Sequence, residues 1–401
     1  MSKGFKVRRT KSKIYRRNRS TSHSPLGVIA VIVLLVGLFV LGWFVYQPVY
    51  DFITGNISRP PESSSVPEPE PEPEPTPEPL PEPEPEAMKL LYAPNETMKN
   101  PQALEEIAKK AQAAGCNTLL FEVKNNNGDV LYKTNNEIAI ACDAVVADAL
   151  DLNAVTETLA KYNLKPAVRL HTMKDHVSSR KRIAMSVHYL NTEGLWLDNY
   201  VDKGGRSWLN PYDTTAQDYN IELARECVDA GAVLVIADSV QFPKAIGMNL
   251  AGYGDTGGKT WSEALNTFAT RMNDAVTEKG ASFAVATVGT AVTQGYKGLE
   301  YLGSPLQYTV PLVVNSMPAY WAGQTPAPND APAQLAGETL RATLSPIKAE
   351  LIPYVQCYTD STIAAAKNKE YTQLEIDEQI AVLKELGIES YILYSPDGVY
   401  P

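Results

Sequence analysis

The sequence predicts an α/β fold, a (β/α)8 TIM barrel over residues 88–401, preceded by a transmembrane helix and a disordered Pro-Glu linker. Three observations predict the barrel. Eight short apolar runs after residue 88 alternate with helix-length segments, the pattern of parallel strands joined by right-handed crossovers. The run AVLVIA at 232–237 is rich in β-branched residues and ends at a lone acid, Asp238, where such barrels carry their chemistry. An open doubly wound sheet is the alternative, but no G-x-G-x-x-G follows the first strand.

Residues 1–24 form a basic arm with nine Lys or Arg and no acid. Residues 25–47 hold the uncharged run LGVIAVIVLLVGLFVLGWFVY. As a helix it spans about 30 Å, the thickness of a bilayer core. Trp43 and Tyr46 end it as interfacial aromatics. A cleaved signal peptide would have a shorter apolar core and a small-residue cleavage site, so the run reads as an uncleaved anchor in the cell membrane. The positive-inside rule puts residues 1–24 in the cytoplasm and the rest outside. Residues 48–87 are a Pro/Glu-rich linker, nearly a Pro-Glu repeat over 67–86. Proline favours polyproline II and repelling Glu side chains stiffen it. At about 3.1 Å per residue that repeat reaches roughly 60 Å, enough to stand the barrel off the membrane in a cell wall.

The formal net charge is −10. Nine Glu in 60–86 offset the nine bases of the arm, so the C-terminal part keeps about −10. Nucleic-acid binding needs a basic face, and no such partner is expected. None of Cys116, Cys142, Cys227 and Cys357 forms a C-x-x-C pair, so no zinc motif is present. Cys227 and Cys357 fall in an expected helix and strand, where Cys packs as a small apolar residue. Outside the cell a disulfide is allowed, with its pairing open. His171, His176 and His188 match no ligand spacing, so no metal and no cofactor is expected. The absence of G-x-S-x-G, H-E-x-x-H and P-loop patterns argues against serine hydrolases, zincins and nucleotide hydrolases.

The strands are expected at 89–93, 118–124, 164–170, 232–237, 282–288, 308–315, 351–358 and 390–394. The helices are expected at 101–114, 153–162, 214–230, 261–279, 333–344 and 372–386. Helix 101–114 puts Leu104, Ile107, Ala108 and Ala111 on one face and stops at Gly115. Helix 333–344 stops before Pro346.

Barrel sites are built from the carboxyl ends of the strands and the loops beyond them. Those ends offer Tyr92, Glu122, Lys124, Arg169, His171, Asp238, Gln241, Trp321 and Tyr394. Aromatic faces with carboxylate and amide partners suit sugar rings; ordinary barrel packing is the plainer account of the rings. Glycoside hydrolysis needs two carboxyl groups. Asp238 is the first candidate. Glu122 is the second if residues 122 and 124 project into the lumen. Otherwise Glu122 pairs with Lys124 or Arg169 inside the barrel.

The segment WLNPYDTTAQDYNIELARECVDAGAVLVIADSVQFP at 208–243 resembles a glycoside hydrolase domain family once known only as a domain of unknown function. Trp208, Asn210, Pro211, Tyr212, Tyr219, Asn220, Asp238, Val240, Phe242 and Pro243 carry the match. The stretches 118–132 and 376–400 are similar to its second strand and its close. The resemblance implies an α-amylase-like barrel with the nucleophile on strand four and the acid on strand five. Two positions depart from the pattern: Gln241 replaces the usual Arg, and Thr287 stands where an Asp is usual. The expected protein is therefore a membrane-anchored, extracytoplasmic glycosidase acting on cell-envelope polysaccharide, a peptidoglycan-type glycan included. Asp238 would be nucleophile or stabiliser and Glu122 acid/base. Tyr92, Lys124, Arg169, His171, Trp208, Tyr212, Gln241, Trp321 and Tyr394 would hold sugar. The alternative is a catalytically inactive carbohydrate-binding or scaffolding barrel at the wall.

Overall fold

The computed structural model describes residues 86–401 apart from 296 and 305–308. The expected basic arm and anchor, and nearly all of the expected linker, lie outside the described residues. Among the described residues no helix is long and apolar enough to cross a membrane.

Eight strands form the barrel: β1 Lys89–Tyr92, β2 Thr118–Lys124, β3 Lys165–His171, β4 Leu234–Asp238, β5 Ser282–Val288, β6 Leu312–Asn315, β7 Leu351–Gln356 and β8 Tyr391–Tyr394. Each pairs in parallel with its neighbour in sequence, and β1 pairs with both β2 and β8, which closes the ring. Six longer helices surround it: α1 Pro101–Ala113, α2 Leu152–Ala160, α3 Thr214–Asp229, α4 Trp261–Thr277, α5 Ala336–Leu344 and α6 Gln373–Glu385. Their ends follow local chemistry. Asn100 caps α1, accepting from the Gln102 and Ala103 amides, with Pro101 in the first turn. Thr260 with Glu263, and Thr372 with Glu375, form capping boxes on α4 and α6.

Period-two alternation divides the strand residues between two cores. Leu90, Leu120, Leu234, Ile236, Val313 and Ile352 fill the lumen. Leu91, Phe121, Val235, Val285 and Val355 pack outward with the helix layer.

Two departures bear on the site. Between β2 and α2 the chain adds the strand Val130–Tyr132, antiparallel to β2, and the strand Val145–Leu150, parallel to that one. Strands this short leave little period to read. The second is a bulge in β2. Glu122 pairs with Arg169, but Lys124 pairs with Leu170, so one residue is extra on the β2 side. A one-residue slip turns later side chains to the opposite face. Glu122 stays in the lumen and Lys124 goes outward, which corrects the expectation that both project inward.

Candidate active site

The carboxyl ends of β1 to β4, β7 and β8 converge on one charged cluster. Asp238 closes β4 and is paired in register with His171, the last residue of β3. Ser239 follows with φ 55°, a conformation that turns its own N–H back to Asp238 Oδ1 at 2.5 Å. His171 Nδ1 lies 2.8 Å from Ser239 Oγ and 3.4 Å from Asp238 Oδ1. Its Nε2 faces Glu122 Oε1 at 3.6 Å. The histidine therefore stands between the two carboxylates.

Arg169 organises the rest. Its guanidinium donates to Glu122 Oε1 at 2.5 Å and to the Tyr354 hydroxyl at 3.1 Å, and lies 5.4 Å from the centre of the Tyr92 ring. Asn95 Nδ2 donates to the other Glu122 oxygen at 3.1 Å. Tyr394 packs against Tyr92 at 4.9 Å and Tyr354 at 5.2 Å between ring centres.

Burial alone would push the Glu122 carboxyl up. The adjoining His171 and Arg169 outweigh it and hold the group at about 2. Asp238 is balanced the same way, with burial raising it and His171 and Arg169 bringing it below the ordinary carboxylate value. Burial raises Tyr92 and Tyr394, which stay neutral phenols. Two carboxylates face one guanidinium, so these three groups carry one excess negative charge.

Of the residues expected to hold sugar, Tyr92, Arg169, His171 and Tyr394 are in this cluster. Lys124 is fully buried behind it, ion-paired with Asp175 at 2.7 Å and donating to Asn220 Oδ1 of α3. Trp208 is 4% exposed; its Nε1 donates to Asp198 and Lys174 covers its ring. Tyr212 packs on Phe242 and Tyr253, and its hydroxyl donates to the Lys259 carbonyl. Trp321 is 3% exposed, with Nε1 donating to Ser316 Oγ. Trp208 and Trp321 are packing elements with little free face, which corrects their expected role, while Tyr212 is half-buried. Gln241 is half-buried beyond β4, its N–H donating to the Ser239 carbonyl.

Sequence reasoning missed Tyr354, Ser239 and the site role of Asn95. Tyr354 sits two residues before the end of β7, on the same face as Ile352, so alternation could have found it. On β5, Ala284 and Ala286 face the lumen while Val285 faces the helices. Thr287 follows Val285 outward by alternation, and β5 has no carboxylate at all. Among the described residues no group of His, Cys, Asp or Glu is arranged to hold a metal ion, and the four cysteines are free and buried. A cleft of about 580 Å³ opens between the loops after β7 and β8, lined by Tyr358, Asp360, Tyr371 and Asp397 among others. The Tyr358 ring lies 6.2 Å from Tyr394, which joins that cleft to the barrel mouth. Its lining does not include Asp238 or Arg169.

Fold and site define a (β/α)8 barrel with an acidic, tyrosine-lined centre at its strand ends. The chain belongs to the family described as "Putative glycosyl hydrolase domain", whose family model matches residues 90–400. Among solved structures, the glycoside hydrolase domain of PgaB (BpsB) from Bordetella bronchiseptica is similar at a TM-score of 0.56. It shares 13% identity over 78% of this chain and 95% of that one, a likeness of fold. An uncharacterized protein from Listeria monocytogenes, in complex with glucose, magnesium and calcium, has a TM-score of 0.50 and 10% identity, covering 78% of this chain and 29% of its own. A hypothetical protein from Ruminiclostridium thermocellum shares 26% identity over 49% of this chain and 96% of its own, at a TM-score of 0.43. Comparison with curated proteins finds no match.

Proposed function

We propose that this chain is a membrane-anchored, extracytoplasmic glycosidase that cuts a cell-envelope polysaccharide at the mouth of the barrel. The observation that carries the reading is Asp238, held below its ordinary carboxylate value at the end of β4, in a chain of a glycosyl hydrolase family. An ionised carboxylate there acts as nucleophile or stabilises the oxocarbenium-like centre. A general acid works best with a pKa near the working pH. Glu122, held at about 2 by its surroundings, is poorly suited to that role. Its part is to fix Arg169 and, with Asp238, to flank His171. The uncharged run at 26–46, the basic arm and the Pro-Glu repeat support the location.

A specific observation favours a second reading, a carbohydrate-binding or scaffolding barrel without turnover: β5 carries no carboxylate. The test is incubation of the full chain with isolated envelope glycans while reducing ends are followed. Release supports the glycosidase. Retention of glycan without release supports the binder. Recovery in the soluble fraction with residues 25–47 intact would remove the anchor.

A further inference from the structure

The barrel mouth contains polar atoms that the protein leaves unpaired. Asn315 closes β6, two residues after Val313, which packs in the lumen. Alternation puts Asn315 on the lumen face. Its Oδ1 is buried and finds no hydrogen-bond partner among the described residues. Its register neighbour on β5 is Val288, which offers it nothing polar. Asn95 Oδ1 is likewise buried and unpaired. There the amide orientation follows from chemistry: the Glu122 carboxylate only accepts, so Nδ2 must face it and the carbonyl is left over. Arg169 Nε is a buried donor without a partner.

Buried polar groups are nearly always satisfied, and an unpaired one costs stability. An apolar residue of similar size would avoid that cost at Asn315. Two spare acceptors and one spare donor at the carboxyl ends of the strands therefore fit a polar ligand. The excess negative charge of Glu122 and Asp238 over Arg169 selects among ligands, because a carboxylate or phosphate would be repelled.

We propose that Asn315 is a substrate-binding residue whose amide carbonyl, together with that of Asn95, accepts hydrogen bonds from an uncharged sugar unit seated at Asp238. The assignment rests on the glycan-directed reading of the site. The sugar presents hydroxyl or amide N–H donors to the two carbonyls and an oxygen to Arg169 Nε. Sugars bearing a carboxylate or phosphate at that position are rejected.

The experiment uses the full chain and two variants, Asn315→Leu and Asn315→Ala. Affinity for neutral and for uronate-bearing envelope oligosaccharides is measured by calorimetry, alongside thermal melting of each protein. The expected result is a loss of about tenfold or more in affinity for the neutral glycan, the scale of one good hydrogen bond. At least one variant melts no lower than the parent, since the unpaired carbonyl has gone. The parent prefers the neutral oligosaccharide. Affinity within twofold of the parent in both variants overturns the assignment while the glycan reading stands. So does a parallel drop in melting temperature and affinity in both, which makes Asn315 structural. A parent that prefers the uronate overturns the uncharged-sugar assignment. A parent that binds no glycan removes the functional reading itself, and this assignment with it.

Discussion

Lys124→Met is expected to damage stability and leave the site chemistry alone. The Lys124 and Asp175 side chains are both fully buried, 2.7 Å apart. Lys124 Nζ also donates to the Thr172 carbonyl at 3.3 Å and to Asn220 Oδ1 at 3.0 Å, and lies 4.8 Å from the Tyr219 ring centre. The ammonium thus ties the end of β2 to α3 and to the loop after β3. Removing one partner of such a pair strands a buried charge, at a cost of about 3–5 kcal/mol. At roughly 2 °C per kcal/mol for a large domain, the melting temperature should fall by about 6–10 °C. Replacing both partners removes the stranded charge, so Lys124→Met with Asp175→Leu should recover most of the loss. Recovery will be incomplete by about 1 kcal/mol, because Asp175 Oδ1 also accepts from the Ser178 amide at 2.7 Å and caps the short helix His176–Lys181. Calorimetry on the full chain at neutral pH measures all three. A loss under about 1 kcal/mol would mean the pair behaves as a solvated one. Lost glycan affinity with an unchanged melting temperature would put Lys124 back among the sugar contacts. Either result refutes the reasoning.

Three further outcomes are expected. Glu122 lies at about 2 in the folded protein against an ordinary value of 4.5. Its depressed pKa stabilises the fold above about pH 4.5, and that contribution is lost as pH falls towards 2, at roughly 3 kcal/mol in all. Urea melts of Glu122→Gln should therefore lose that share of the parent's acid dependence in that window; a slope equal to the parent's would contradict the pairing. Gly128 has φ 98° and its added Cβ would lie 2.0 Å from Asp175 Oδ1. Gly128→Ala should cost at least about 2 kcal/mol from backbone strain and overpacking, and a neutral effect on chemical denaturation would argue against that contact. Arg169→Lys keeps the charge but cannot reach Glu122 and Tyr354 with one planar fork. It should weaken glycan turnover at constant fold, and unaltered kinetics would remove Arg169 from the site.

The barrel was legible because its strands are compact apolar runs separated by clear helix stops such as Gly115 and Gly387. Asp238 was legible for the same reason, as the single acid ending the most apolar run. Lys124 was misplaced because i,i+2 alternation assumes an unbroken pleat, and the bulge between Glu122 and Lys124 has no sequence signal of its own. Trp208, Tyr212 and Trp321 were expected to face sugar because composition cannot separate an exposed ring from a packed one. Trp208 and Trp321 are covered, and Tyr212 is tied into the cluster of Phe242, Tyr253 and Trp261. Tyr354 was overlooked because a tyrosine inside LIPYVQ reads as core. Only closure of the ring brings its hydroxyl to Arg169, 185 residues away in sequence.

The most direct test of the central claim compares kcat/KM of the full chain with that of Asp238→Asn on a soluble neutral envelope oligosaccharide, with circular dichroism confirming equal folding. The account predicts measurable hydrolysis by the parent and a loss of at least about 10²-fold in the variant, the scale on which a single catalytic group acts. Hydrolysis at the parent rate by Asp238→Asn would contradict it, because the ionised carboxylate at the end of β4 would then take no part in the chemistry.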